Sequence, residues 1–252
     1  MTTGETDRWV RRFHPAPDGA VQLVCLPHAG GSASFYFPVS AALSPAIEVL
    51  AVQYPARQDR RHEPSIDDMD EYAERVYAAL APALGGQIAF FGHSMGAVLA
   101  FEVARRLEHD GKVARALFLS GRRGPGTHRD ERVHEQGDDG ILAELRKMSG
   151  TDARVFGDEE LVRMIMPAMR ADYRAVERYR CEPDATVSSP LVVLTGDDDP
   201  KTSVDEARAW QRNTTGSFEL LTFPGGHFYL TRHVPAVLQV IKETLRPVPA
   251  SS

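Results

Sequence analysis

The sequence has few of the features that mark secreted or membrane-spanning proteins. Its 252 residues include only two cysteines, Cys25 and Cys181, which is too few for a disulfide framework. No apolar run approaches the length of a transmembrane span, and the first residues contain no signal-peptide core. We therefore expect a cytoplasmic protein that has no membrane partner.

Negatively charged residues outnumber positively charged ones. The chain has 29 Lys and Arg residues against 35 Asp and Glu residues, and its net charge is −6. This balance gives no electrostatic basis for binding nucleic acid or an anionic membrane. The apolar share of 42% and the charged share of 25% are those of an ordinary globular protein. The length favours one large α/β domain with an insertion over two small domains.

Six short apolar segments have the composition of buried strands, and helical spacing of apolar residues lies between several of them. The predicted strands are Val21–Leu26, Ile47–Gln53, Ile88–Phe91, Ala116–Leu119, Leu191–Thr195 and Phe218–Phe223. The predicted helices between and after them are Tyr36–Leu43, a segment from Ser65 to Leu80, Ala97–Arg106, a segment from Ser203 through Trp210, and Pro235–Leu245. This alternation predicts a mostly parallel sheet covered on both faces. The first twenty residues are polar and predict a loosely held arm.

The segment after the fourth predicted strand has a different composition. Residues 121–140 are charged and rich in glycine, which predicts a stretch too polar to build core. Two amphipathic helices are predicted next, at Ile141–Met148 and Asp158–Arg180. Such a pair is usually core or plain helix packing. Inserted between strands at a ligand-binding edge, it can equally be a mobile cap.

The stretch Q-I-A-F-F-G-H-S-M-G-A-V at Gln87–Val98 organises the rest of the chain. A strand, Gly-x-Ser-x-Gly and a helix in that order predict a nucleophile elbow that exposes Ser94 at the carboxyl edge of the sheet. Gly92 and Gly96 leave room for the tight turn and for close packing of strand and helix. The alternative is a Gly/Ser turn without chemistry.

A serine nucleophile needs a base within hydrogen-bond reach, and a carboxylate that orients the base. His227 is the best candidate base because it follows the last predicted strand in a glycine-bearing loop. His93 is adjacent to Ser94, but its side chain should point elsewhere, so we interpret it as structural. Asp197–Asp199 supplies three candidate carboxylates, and local reasoning does not choose among them. The order Ser, Asp, His along the chain is that of α/β-hydrolases.

An oxyanion hole needs two preorganised backbone N–H donors. One is expected from Met95, the residue after the nucleophile. The other is expected from the loop P-H-A-G-G after the first predicted strand, with Ala29 as the donor. A glycine-rich loop can also bind phosphate, but this one lacks the length and the lysine of a P-loop.

These residues belong to a longer series of motifs in which the sequence resembles the type II (external, proofreading) thioesterases of polyketide and nonribosomal peptide biosynthesis. The matching stretches are L-P-H-A-G-G-S-A-S-F-Y at 26–36, Q-Y-P-A-R-Q-D-R-R-H-E-P at 53–64, F-G-H-S-M-G-A at 91–97, L-S-G-R-R-G-P at 119–125, T-G-D-D-D-P at 195–200, A-R-A-W at 207–210 and P-G-G-H-F-Y-L at 224–230. The resemblance covers nearly the whole chain. One departure is Ala56, where the family commonly has glycine in Y-P-G-R.

The resemblance implies a single α/β-hydrolase domain over residues 1–252, with a mostly parallel central sheet flanked by helices and a helical lid at about 123–185. It implies Ser94 as nucleophile and His227 as base. Its Gly-x-x-Asp pattern selects Asp199, and it supports Met95 and Ala29 as oxyanion donors.

The substrates that the resemblance implies are acyl groups on the phosphopantetheine arm of an acyl or peptidyl carrier protein. The implied reaction is hydrolysis that removes aberrant or stalled chains, and it requires no cofactor or metal. Two alternatives use the same fold. One is an esterase or acyltransferase with the same triad, and the other is a non-catalytic binding protein.

Docking of a carrier protein raises a question of charge. Carrier proteins are usually acidic and this chain is acidic too, so docking requires a local basic patch. Five arginines in loops predicted near the active edge are candidates: Arg57, Arg60, Arg61, Arg122 and Arg123. Arginine clusters are more often plain solvated surface.

Overall fold

The structure is a computed structural model and describes residues 3–148 and 159–246. Its centre is a seven-stranded sheet in the order β1-β3-β2-β4-β5-β6-β7. The strands are β1 (Val10–Arg11), β2 (Val21–Leu26), β3 (Ile47–Val52), β4 (Ile88–His93), β5 (Leu117–Ser120), β6 (Leu191–Gly196) and β7 (Phe218–Phe223). Strands β2 to β7 pair in parallel, and β1 pairs antiparallel with β3. The predicted mostly parallel sheet is confirmed.

The six strands predicted from the sequence are all present, with ends that differ by one or two residues. Every residue of β4 and of β6 is buried. Strands of a parallel sheet are covered by helices on both faces, and for this reason they appear in the sequence as continuous apolar runs. Two apolar clusters fill the two faces of the sheet.

Helices cover both faces of this sheet. Those described are α1 (Thr3–Trp9), α2 (Phe37–Leu43), α3 (Met69–Leu80), α4 (Met95–His109), α5 (Asp138–Met148), α6 (Glu159–Arg178), α7 (Val204–Arg208), α8 (Tyr229–Arg232) and α9 (Val234–Thr244). Helix α3 begins later than predicted because the side chain of Asp68 caps it, accepting a hydrogen bond from the Glu71 N–H. A capping box formed by Ser203 and Glu206 begins α7. The predicted start of α6 at Asp158 lies outside the described residues.

The prediction of a loosely held N-terminal arm is wrong for the described part of that segment. Strand β1 adds to the edge of the sheet, and the N–H of Gln53 donates to the carbonyl of Trp9 over 2.7 Å. Trp9 is buried, and the guanidinium of Arg60 lies 4.2 Å from the centre of its ring. These contacts come from residues more than forty positions away, so local composition does not reveal them.

The strand order creates one crevice at the carboxyl edge of the sheet. From β2 the chain moves outward to β3, and it then returns to β4 on the other side of β2. At such a switch point the loops after the two central strands diverge and leave room for a ligand. The loop after β2 carries Ala29, and the turn after β4 carries Ser94. The topology therefore places both predicted elements at the same edge.

Helices α5 and α6 lie between β5 and β6 in the chain and have a small apolar core of their own, formed by Val133, Ile141, Leu142, Leu145, Met148, Met166, Met169 and Tyr173. The prediction that residues 121–140 contribute nothing to a core is wrong, because Val133 and His134 are buried beneath these helices. Within the described ranges, no helix is long and apolar enough to cross a membrane.

Candidate active site

Ser94 occupies a sharp turn between β4 and α4. Its backbone has φ 56° and ψ −115°, a conformation that non-glycine residues rarely adopt. The turn is held from outside, since the Ser94 N–H donates to the carbonyl of Ser120 on β5 over 2.8 Å. A strained residue fixed by its surroundings at a strand end is typical of functional sites.

The two glycines of the elbow are required by close approach of the backbone. A Cβ atom on Gly92 would lie 2.0 Å from the carbonyl oxygen of Gly96. A Cβ atom on Gly96 would lie 2.0 Å from the carbonyl oxygen of Leu26 at the end of β2. The absence of side chains therefore lets the start of α4 sit directly against the loop that carries Ala29.

Two backbone N–H groups at this junction have no acceptor among the described residues. Met95 is the first residue of α4, where a backbone N–H has no partner within the helix. In the part of the chain that the structure describes, nothing accepts a hydrogen bond from the N–H of Met95 or of Ala29. Ala29 and Ser94 line the same cavity. These are the two donors that the sequence predicts for an oxyanion hole.

His227 and Asp199 form a buried pair beside Ser94. Hydrogen bonds of 2.9 and 3.1 Å join the Nδ1 atom of His227 to the two carboxylate oxygens of Asp199. Both residues are buried, and they lie in the loops that follow β7 and β6. The carboxylate fixes the imidazole so that its other nitrogen is available for chemistry. His227 and Ser94 line the same cavity.

The structure distinguishes the three aspartates that local sequence reasoning left open. Only Asp199 contacts His227 among the three, and its Oδ1 atom also accepts from the Lys201 N–H over 2.8 Å. The Oδ1 atom of Asp197 instead accepts from the Gly225 N–H over 2.8 Å, which ties together the loops after β6 and β7. The side chain of Asp198 is exposed.

His93 points into the protein, as its position next to the nucleophile predicts. It is fully buried, and its Nδ1 atom lies 2.9 Å from the hydroxyl of Ser120, which lies 2.7 Å from the hydroxyl of Tyr229. Burial, reinforced by the neighbouring His227 and His28, holds the pKa of His93 well below its usual value. A histidine with this pKa is neutral at pH 7.

A covered cavity of about 290 Å³ lies over Ser94 and His227. Most of the exposed surface of its wall is apolar, and α5 and α6 contribute Leu145, Met148, Ile165, Met169, Tyr173 and Val176 to it. Charged residues also line it: Arg122, Glu131, Glu177 and Lys201. A mostly apolar chamber with a few fixed polar groups is typical of a small-molecule site.

Two of the acidic residues in the wall are held by partners. The Nζ atom of Lys201 lies 3.0 Å from Glu131 and also pairs with Glu144 of α5. Glu177 of α6 accepts from the N–H groups of Val133 and His134, over 2.9 and 3.1 Å. These contacts anchor the inserted helices to the loops around the site.

The predicted docking patch is not a surface patch. Arg57, Arg60 and Arg123 are buried, so the prediction that they bind a partner protein is wrong. Each is occupied by a carboxylate within the chain. Arg122 lies in the cavity wall, where burial and the nearby Arg123 lower its pKa to about 9. Among the five, Arg61 alone is exposed.

Sequence reasoning missed one buried polar group near the site. Asp172 of α6 is fully buried and contacts Gly30, Arg57 and Tyr72. The sequence does contain a signal for Asp172, since this carboxylate lies in the middle of the apolar helix face formed by Met169, Tyr173 and Val176. For the described residues, no group of three or more His, Cys, Asp or Glu side chains is arranged to hold a metal ion.

A serine on a strained strand–helix turn, with an aspartate–histidine pair in the loops after the last two parallel strands, is the arrangement of α/β-hydrolases. The protein has this fold. Residues 21–245 match the family model described as "Thioesterase domain". The chain belongs to the thioesterase family, a family of enzymes that cleave thioester bonds, and the prediction of family is confirmed.

Similar proteins include thioesterases that are named for biosynthetic pathways. The chain is 55% identical over 240 residues to a probable cadicidin biosynthesis thioesterase of Streptomyces griseus, a match that covers 95% of this chain and 66% of that protein. It is 52% identical over 224 residues to the thioesterase PikA5 of Streptomyces venezuelae, covering 88% of this chain and 80% of that protein. The solved structure of the type II thioesterase BorB, from the borrelidin biosynthetic cluster, superposes with a TM-score of 0.90 at 53% identity. That match covers 95% of this chain and 98% of BorB.

Proposed function

We propose that this protein hydrolyses acyl thioesters on the phosphopantetheine arm of acyl or peptidyl carrier proteins, and so removes aberrant or stalled chains from a biosynthetic assembly line. The observation that carries the proposal is the buried Asp199–His227 pair beside Ser94 in a covered apolar cavity. The similar thioesterases that are named for biosynthetic pathways support the substrate class. In this proposal the protein works in the cytoplasm as one domain, with residues 123–185 as its lid.

The proposed reaction has two halves. In the first, Ser94 attacks the thioester carbonyl while His227 takes the hydroxyl proton, and Asp199 stabilises the resulting imidazolium. The N–H groups of Met95 and Ala29 bind the oxyanion of the tetrahedral intermediate. The intermediate collapses, the carbon–sulfur bond breaks, and the thiol leaves with the proton from His227. In the second half, water attacks the acyl-enzyme with His227 again as base and releases the acid.

A thioester suits this site because its leaving group is easily expelled. A thiol has a pKa of about 8.5, far below that of an alcohol or an amine. Departure of the thiol therefore needs little acid assistance, and acylation of Ser94 is expected to be fast. Attack of water on the acyl-enzyme is then the slower half. The apolar wall formed by α5 and α6 accommodates the acyl chain.

The test is hydrolysis of a panel of acyl-carrier proteins with chains of increasing length. Wild type should release acid and free carrier thiol, and Ser94→Ala should release neither. Asp199→Asn should lower kcat by about 10³-fold or more, because the imidazole loses its orienting acceptor. Asp198→Asn is the matched control in the same loop and should retain wild-type kcat. Absence of acyl release by the wild type from every member of the panel would refute the proposal.

A further inference from the structure

A buried ion pair connects the helix above the cavity to the loops below it. The guanidinium of Arg57 donates to both carboxylate oxygens of Asp172 over 2.9 Å. The side chains are 8% and 1% exposed, so water hardly reaches them. The hydroxyl of Tyr72 donates to the same carboxylate over 3.1 Å. Asp172 belongs to α6, whereas Arg57 and Tyr72 belong to the body of the protein.

The same carboxylate reaches the loop after β2. Its Oδ2 atom accepts a hydrogen bond from the Gly30 N–H over 2.7 Å. Gly30 has φ +72°, and a Cβ atom there would lie 2.2 Å from the Cε atom of Met169. The loop therefore lies directly against α6, with one backbone N–H fixed by a side chain of that helix. The preceding residue, Ala29, has the N–H for which the described part of the chain offers no acceptor.

The rest of this loop is held from the body of the protein. The hydroxyls of Tyr54 and Tyr36 donate to the carbonyls of Pro27 and Leu26, over 3.1 and 2.8 Å. Gln53 accepts from the Ala33 N–H over 3.1 Å. Between these anchors, the hydrogen bond from Gly30 to Asp172 is the contact that depends on the position of α6.

We propose that Asp172 is a positioning residue for the reaction: held by Arg57 and Tyr72, it fixes the Gly30 N–H and thereby orients the neighbouring Ala29 N–H toward the oxyanion. This inference rests on the proposed function of the site. The inserted helices then have a second role besides covering the acyl chain. The oxyanion site is complete only while α6 is seated on the loop after β2.

The physical reason is preorganisation. An oxyanion donor lowers the barrier only if it already points at the position where negative charge develops. The Gly31 N–H donates to the His28 carbonyl over 2.9 Å and closes a turn around Ala29 and Gly30. Asp172 holds this turn from outside and so fixes how it faces Ser94. A carboxylate has two oxygens, so Asp172 can bind Arg57, Tyr72 and Gly30 together. An asparagine has one acceptor oxygen, for which these donors must compete.

The experiment compares Asp172→Asn with Asp67→Asn, using a short acyl thioester of N-acetylcysteamine and an acyl-carrier protein. Asp67 is the matched control, because it also pairs with α6, through Arg174 over 2.7 Å, but this pair is partly open to solvent, with side chains 48% and 38% exposed. Asp172→Asn should lower kcat by about 10- to 100-fold on both substrates, with KM changed by less than about two-fold. Asp67→Asn should match the wild type in both parameters.

The split between kcat and KM separates positioning from a merely structural role. A structural role would lower Tm and leave kcat per folded molecule unchanged at temperatures below unfolding. Retention of wild-type kcat by folded Asp172→Asn would overturn the inference. If Asp172→Asn does not fold, Tyr72→Phe and Arg57→Lys replace it, since each weakens the hold on the carboxylate without removing it. Both should lower kcat more than they change KM, and wild-type kcat in both would overturn the inference.

The wild type and Ser94→Ala serve as references in the same assay. No hydrolysis by the wild type would refute the proposed function itself. Hydrolysis that depends on Ser94 but not on Asp172 would refute the positioning role alone.

Discussion

At the scale of single residues, the site combines strain with burial. Ser94 is held at positive φ by a hydrogen bond to a neighbouring strand, and His227 is oriented by a carboxylate that water does not reach. Ala56 also has a strained backbone. It has φ 64°, a conformation that favours glycine, which accounts for the glycine that the family commonly carries there. The chain tolerates alanine because the Ala56 N–H donates to the carbonyl of Arg60 over 3.0 Å.

The buried His93 predicts sensitivity of the fold to acid. Burial lowers its pKa in the folded state, while in the unfolded chain it takes up a proton near its usual pKa of about 6.5. The unfolded state therefore binds more protons below this pH, and stability falls as the pH falls.

Urea unfolding at neutral pH and at about pH 5 measures the free energy of unfolding at each pH. His93→Gln should reduce the loss of stability between the two pH values, because glutamine does not titrate. His109→Gln, at an exposed position, should reproduce the pH dependence of the wild type. An unchanged dependence in His93→Gln would show that this histidine is not the source of the acid sensitivity.

At the scale of elements, the inserted helices have an apolar cluster of their own and are tied to the body by both polar and apolar contacts, the latter through Ala175 and Val176 of α6. Their apolar cluster is separate from the two clusters that flank the sheet. The polar ties to the body run through Asp172 of α6, which pairs with Arg57, and through Lys201, which pairs with Glu144 of α5. Polar ties have defined geometry, so they set where the helices sit, whereas apolar packing alone tolerates sliding.

The loop after β5 provides a prediction at this scale. Arg123 is 3% exposed and pairs with Glu131 over 2.6 Å. Arg123→Glu places two like charges in a buried site and should lower the free energy of unfolding by about 3–5 kcal/mol. Because the site is disturbed as a whole, activity should fall equally on carrier-bound and small thioesters.

The exposed Arg61 supplies the comparison, and Arg61→Glu should leave stability within about 0.5 kcal/mol of the wild type. Chemical unfolding and steady-state assays on both substrates measure these effects. Wild-type stability of Arg123→Glu, with activity lost only on the carrier-bound substrate, would restore a docking role for that residue.

At the scale of the whole molecule, the sheet is extended at its outer edge by the N-terminal segment. Strand β1 pairs with β3, which would otherwise present unpaired backbone groups at the edge. Trp9 packs beneath this pairing and is 6% exposed. The segment therefore belongs to the folded unit and is not a loose arm.

Truncation of this tryptophan tests that conclusion. Trp9→Ala should destabilise the protein by about 3–5 kcal/mol, since it removes a large buried side chain and the ring beneath the Arg60 guanidinium. Val113→Ala, at a position 59% exposed, should change stability little. Denaturant unfolding measures both. Equal stability of Trp9→Ala and the wild type would mean that the segment is only loosely attached.

The strands and the nucleophile turn were predictable because their signals are local. A buried parallel strand is a continuous apolar run, and the elbow at Ser94 needs glycines at fixed spacing. The order of Ser94, Asp199 and His227 along the chain was readable for the same reason. Local reasoning did not choose among the three aspartates, because they share one loop and the choice depends on which of their side chains faces His227.

The sequence by itself determined the fold class, the nucleophile turn and the family, since each depends on residue types that recur at short, fixed spacings. Only the tertiary structure decided which arginines are buried, where the N-terminal segment packs and what Asp172 contacts. Arg57 shows the physical reason. Its partner is 115 positions away on another element. An arginine looks the same in the sequence whether its side chain faces solvent or a buried carboxylate. Contacts of this kind form only when the sheet brings its loops to one edge.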